Sequence, residues 1–131
     1  MMFADSSAIV AILLGESDAV GLQAKLGAAE RCLVSPAVRL ETCMVIASRR
    51  DVSPTRAQEF FDELALECGM IEIQIDERIG RLAVECLQRY GKGRDRAQLN
   101  FGDCLSYACA KAHGVTLIFK GDDFGKTDIN D

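Results

Sequence analysis

Four short apolar runs are spaced along this chain: "MMFAD" at 1–5, "RCLVS" at 31–35, "MIEIQI" at 70–75 and "VTLIF" at 115–119. Longer stretches of helical periodicity lie between them. Runs of that length read as short buried strands. Helices are expected at roughly 6–14, 17–29, 36–50, 54–67, 76–90 and 101–113. Ser35-Pro36 and Ser53-Pro54 supply start signals, and Gly69 and Gly114 stand just past two helix ends. Strands that alternate with helices need crossover connections, which make the strands parallel and cover both faces of the sheet. The expected fold is therefore α/β with three layers, a central parallel sheet of four to five short strands flanked by helices. At 131 residues the chain supports one domain, 1–131, and not two. The one Gly-rich polar interval, "GKGRDRAQLNFG" at 91–102, reads as a surface loop.

Open parallel sheets bind ligands beyond the carboxyl ends of their strands. Asp5 closes the first run, and Asp122 and Asp123 follow the last, so all three belong at one edge. Two acids inside helices bear on the same region. Glu41 has Ala37, Val38, Met44 and Val45 as its i±3 and i±4 neighbours, with Arg39 and Arg50 on the opposite side, which puts its carboxylate on an apolar face. Asp103 sits one turn inside "FGDCLSYACAKAH", a helix apolar or small most of the way round and hence buried. Each acid also has a plain structural reading. Asp5 suits an N-cap, Asp103 suits the positive end of its helix with Asn100 available as the cap, and Asp122-Asp123 after Gly121 suit a tight turn.

The combination changes the balance. Two carboxylates about 5 Å apart repel by roughly 3 kcal/mol at an effective dielectric near 20, so four acids at one edge favour protons or a cation. An all-oxygen set without His or Cys points to Mg2+, or Mn2+, over zinc. His113, the only histidine, ends a helix just before Gly114 and suits compensation of the helix dipole better than catalysis.

A net charge of −5 argues against nucleic-acid binding by the whole surface, but not against a local basic track. Lys92, Arg94 and Arg96 supply one: they are candidate phosphate contacts to nucleic acid, with a plain solvated loop as the other reading. The six cysteines form no CxxC pair and fall among apolar residues, so they are expected as free thiols in a reducing cytoplasm. The first residues lack the basic start of a signal peptide, and no apolar run approaches a membrane span. Phe60, Phe61 and Leu64 present an apolar helix face that serves either an interface or the core.

"FADSSAIVAIL", "LETCMVIAS", "LNFGDCLSYACAKAHG" and "LIFKGDDFGKTDI", in that order over residues 1 to 129, resemble the PIN-domain ribonucleases, and among them the VapC-type toxins of bacterial toxin-antitoxin systems. The resemblance implies a PIN-like fold and metal-dependent hydrolysis of RNA. It maps the family's catalytic and metal-binding acids onto Asp5, Glu41, Asp103 and Asp122, with Asp123 as the neighbour of the last. It further implies that Ser7 supports the metal shell, that the active form is a homodimer, and that a cognate VapB-type antitoxin covers the cleft.

Two other readings compete. An aspartate-based phosphatase would carry a second Asp two residues after the first, where this chain has Ser7. A receiver-like domain would find a lysine in Lys120 but no use for Glu41 and Asp103 within helices. A PIN-like binding or scaffold module without activity is the non-enzymatic alternative.

Overall fold

A computed structural model describes residues 1–131. In chain order the elements are β1 (Met2–Ala4), α1 (Ser6–Leu13), α2 (Ala19–Ala28), β2 (Cys32–Val34), α3 (Pro36–Arg50), α4 (Pro54–Glu67), β3 (Met70–Glu72), α5 (Glu77–Tyr90), α6 (Phe101–His113) and β4 (Thr116–Ile118), with a 3₁₀ turn at Phe124–Lys126. All six expected helices form, each within two residues of its expected bounds.

Local chemistry explains why the helices begin where they do. The Ser35 and Ser53 hydroxyls accept from the backbone N–H groups of Val38 and Arg56, ahead of Pro36 and Pro54, whose missing N–H costs nothing in a first turn. Asp76 caps α5 through the Ile79 N–H. At the other ends, Gly69 and Gly114 adopt left-handed φ values of 60° and 62°, which a side chain would resist.

The four strands form one parallel sheet in the order β3-β2-β1-β4. From β1 the chain winds outward through β2 to β3, then returns to add β4 on the other side of β1. The switch point of the sheet therefore lies between β1 and β4, where connections leave in opposite directions, the place at which sheets of this kind bind ligands. Phe3, Ile9, Leu26, Val34, Val38, Ile46, Phe61, Leu99 and Leu117 fill the core on both faces. Phe61 and Leu64 belong to that core and Phe60 packs partly against it, so much of the α4 face faces inward.

Two edges are handled differently. The run at 70–75 pairs over only three residues, because β3 is an edge strand whose Ile71 is largely exposed, and a single further bond from the Ile73 N–H to the Val34 carbonyl ends the pairing. At the β4 edge the Asn130 side chain imitates a strand: its Oδ1 accepts from the Leu117 N–H at 2.9 Å and its Nδ2 donates to the Leu117 carbonyl at 3.0 Å. That closes one exposed rung of a sheet edge.

The interval 91–102 is more built than a plain surface loop. Gly91 and Leu99 form an isolated bridge, the Lys92 N–H donates to the Leu99 carbonyl at 2.8 Å, and Ala97 and Leu99 are fully buried. Its apolar residues pin it down while its basic ones stay outside. All six cysteines are free, five of them buried.

Candidate active site

Asp5 follows β1 and caps α1. Its Oδ2 accepts from the Ser7 backbone N–H at 3.0 Å and its Oδ1 from the Ser106 hydroxyl at 2.6 Å, and only 2% of the residue is exposed. The expected cap is real, but a cap alone does not require a second bond to a helix 101 positions away. Asp5 is thus fixed from two elements at the carboxyl end of the central strand.

Glu41 is brought to the same edge by α3, which starts directly after β2. Its Oε1 accepts from the Ser6 hydroxyl at 2.6 Å. Burial raises the proton affinity of this carboxyl, the Ser6 bond opposes the rise, and the charge of Asp5 adds to it. Arg39, one face away, takes no part. It is bound to Asp62 at 2.7 Å and Glu72 at 3.0 Å over the ring of Phe61, tying α3 to α4 and β3.

Asp103 stands at the third position of α6 in a capping box. Its N–H donates to Asn100 Oδ1 at 2.9 Å and its Oδ2 accepts from the Asn100 N–H at 3.1 Å. Asn100 is therefore the cap, as its place in the sequence allowed, and Asp103 reciprocates. The bond from Asn100 lowers the Asp103 pKa, but burial outweighs it, and the charges of Asp5, Glu41 and Asp123 push the same way, up to about 6. An acid spending one oxygen on a cap and still perturbed by three other carboxylates shares one acidic edge of the sheet with them.

Of the two acids after β4, Asp123 is the one whose charge reaches Asp103. Both are exposed, on a segment where Gly121 takes φ 104°. The Ser7 hydroxyl accepts from the Lys120 backbone N–H at 3.0 Å, which holds this segment against α1. Ser7 therefore touches the acids only through its backbone N–H to Asp5. The hydroxyls that reach carboxylates are those of Ser6 and Ser106. No group of three or more acids, histidines or cysteines is drawn close enough to hold an ion as the side chains stand. In kind, however, the donors fit a hard divalent cation: they are oxygens only, they range from buried Asp5 through half-buried Glu41 and Asp103 to exposed Asp123, and their charges repel.

Lys92, Arg94 and Arg96 are exposed on the loop that leads into α6, and they form none of the molecule's ion pairs. His113 is exposed at the far end of α6, away from the turn that carries Asp103.

A family model for the PIN domain matches residues 2–130. A VapC ribonuclease of Rhizobium meliloti is 37% identical, with 98% of this chain and 99% of that protein aligned. The chain is a PIN domain of the VapC ribonuclease family. Ribonuclease VapC30 of Mycobacterium tuberculosis is 40% identical over 98% of this chain and 95% of its own length. Among solved structures, the PIN domain superposes on VapC20 of Mycobacterium tuberculosis, described as a toxin that cleaves the sarcin-ricin loop, with a TM-score of 0.74 at 19% identity, covering 95% and 93% of the two chains. A toxin-antitoxin complex from Klebsiella pneumoniae matches with a TM-score of 0.71 at 20% identity, over 100% and 96%. The phosphatase and receiver readings lapse with this membership. Lys120 of the PIN domain is committed elsewhere, its amine bonded to Glu16 and 3.3 Å from Asp18.

Sequence reasoning passed over three residues of the site. Ser106 lies at i+3 from Asp103 and so shares its helix face, a signal that was available. Ser6 was hidden beside Ser7. Gly102 stood in plain view as a glycine in the first turn of a helix.

Proposed function

We propose that this PIN domain hydrolyses RNA phosphodiester bonds as the toxin of a VapBC-type system, using Mg2+ or Mn2+ held by Asp5, Glu41, Asp103 and an acid after β4. The single observation that carries the reading is electrostatic. Asp103 feels Asp5, Glu41 and Asp123 together, although the four residues come from separate elements at the switch point of the sheet. We place Asp123 ahead of Asp122 as the fourth acid on that ground.

A divalent ion bound among these oxygens supplies an activated water and neutralises charge on the phosphate. The chain's own residues supply the geometry. Asp5 is locked by Ser7 and Ser106, Asp103 by Asn100, and Glu41 by Ser6, so each carboxylate meets its ligand from a fixed direction. Lys92, Arg94 and Arg96 approach the RNA backbone from the loop that delivers Asp103, giving an acidic protein a local phosphate track. A cognate VapB-type antitoxin binds and covers the acidic site, and the working form is a homodimer; kinship with the VapC ribonucleases supports both.

Expression in a bacterial host tests the biological half of this reading. Growth arrest by the wild type, relieved by Asp103→Asn and by the cognate antitoxin, is expected. Unimpaired growth with wild-type protein accumulating in soluble form contradicts it.

A further inference from the structure

Gly102 occupies the second position of α6 with ordinary helical backbone geometry, which does not itself call for glycine. Glycine is the poorest helix former after proline, so something other than the backbone must account for it. A Cβ built at 102 would lie 2.7 Å from Glu41 Cδ and 2.8 Å from Glu41 Oε1, with Oε2 nearer still. Real Cβ atoms do not tolerate such distances, and what would have to move is the far end of Glu41. On its other side the same carboxylate accepts the Ser6 hydroxyl.

We propose that Gly102 is a positioning residue. Its missing side chain forms a slot in the first turn of α6 that seats the Glu41 carboxylate beside Asp103, while Ser6 holds it from α1. Any side chain at 102 turns Glu41 out of the site. The inference rests on Glu41 being a ligand of that site, and it adds that the seat of its carboxylate against α6 is set by the absence of one methyl group.

The test uses the full chain with Gly102→Ala, in the wild-type and in the Glu41→Ala background. Three quantities are read: Mn2+ affinity by paramagnetic titration, RNA cleavage at saturating Mg2+, and melting temperature in EDTA. With Glu41 present, Gly102→Ala is expected to weaken Mn2+ binding about tenfold or more and to lower cleavage to match. In the Glu41→Ala background it changes Mn2+ affinity by less than about twofold, because the two changes act through one contact. There it also raises the melting temperature, since alanine favours the helix once nothing fills the slot. Wild-type Mn2+ affinity and cleavage in Gly102→Ala would overturn the proposal, as would an equal loss in both backgrounds. If the wild type neither binds Mn2+ nor cleaves RNA, the nuclease reading fails. The slot is then judged by melting alone: a rise confined to the Glu41→Ala background upholds it, and the same shift in both overturns it.

Discussion

The Ser106 hydroxyl donates to Asp5 Oδ1 at 2.6 Å, joining the last helix of the fold to the residue that closes its first strand. Both residues are buried, so this bond to a carboxylate is shielded from water. Removing it leaves a buried charge with one partner fewer. Ser106→Ala is expected to cost about 1.5–3 kcal/mol in urea unfolding. It also loosens Asp5 and so slows cleavage more than it weakens RNA binding. A variant as stable and as active as the wild type would show that the bond fixes nothing.

Asp103 offers a prediction about pH. Its pKa, raised to about 6 by burial first and then by Asp5, Glu41 and Asp123, means that the folded chain holds this proton more tightly than the unfolded chain does. Between about pH 4 and 6 folding takes up a proton, so this group's contribution to stability falls as pH rises through that window. Asp103→Asn should therefore be more stable than the wild type at pH 7.5, by about 1–2 kcal/mol after allowance for solvent screening, while losing cleavage. The difference should shrink toward pH 4. Unfolding at the two pH values checks it, and a variant less stable at pH 7.5 contradicts it. Mn2+ binding to the metal-free wild type should likewise weaken as pH falls through about 6, where a proton competes with the metal for this carboxylate.

The acids after β4 separate by substitution. Asp123→Asn is expected to lower cleavage about tenfold or more, and Asp122→Asn to leave it within about twofold, because Asp123 is the one coupled to Asp103. The reverse order in an initial-rate assay would reassign the fourth ligand to Asp122.

Much of the fold was legible because its signals are local. Ser35-Pro36, Ser53-Pro54 and Gly114 mark helix ends through bonds that span at most five residues, and the apolar runs mark strands whichever neighbours they pair with. The length of β3 was not legible, since "MIEIQI" has strand character throughout and only its edge position limits the pairing to three residues. In the site, the acids stood out as charges misplaced on apolar faces. Their supports stood out less: Ser6 meets Glu41 across 35 positions and Ser106 meets Asp5 across 101, so the pairings leave no local pattern, and only the i+3 relation of Ser106 to Asp103 was readable. Ser7 drew attention by its place after Asp5, yet its hydroxyl serves Lys120.

The basic loop predicts a salt effect. If Arg94 and Arg96 each meet one RNA phosphate, replacing both with alanine should make the log-log salt dependence of binding shallower by about 1.4, at roughly 0.7 per contact for single strands. Mn2+ affinity should stay the same, because neither residue touches the acids. Binding measured from low to moderate salt on a catalytically silent Asp103→Asn background provides the test, and an unchanged slope rules the contacts out.

Cleavage of RNA by the purified protein, with Mg2+ or Mn2+ and then with EDTA, tests the central claim most directly when wild type, Asp5→Asn and Asp103→Asn are compared side by side. The acidic site at the β1/β4 switch point predicts cleavage by the wild type only with the metal present, and loss of cleavage in both folded variants. Cleavage that persists in EDTA, or full activity in either variant, would contradict it.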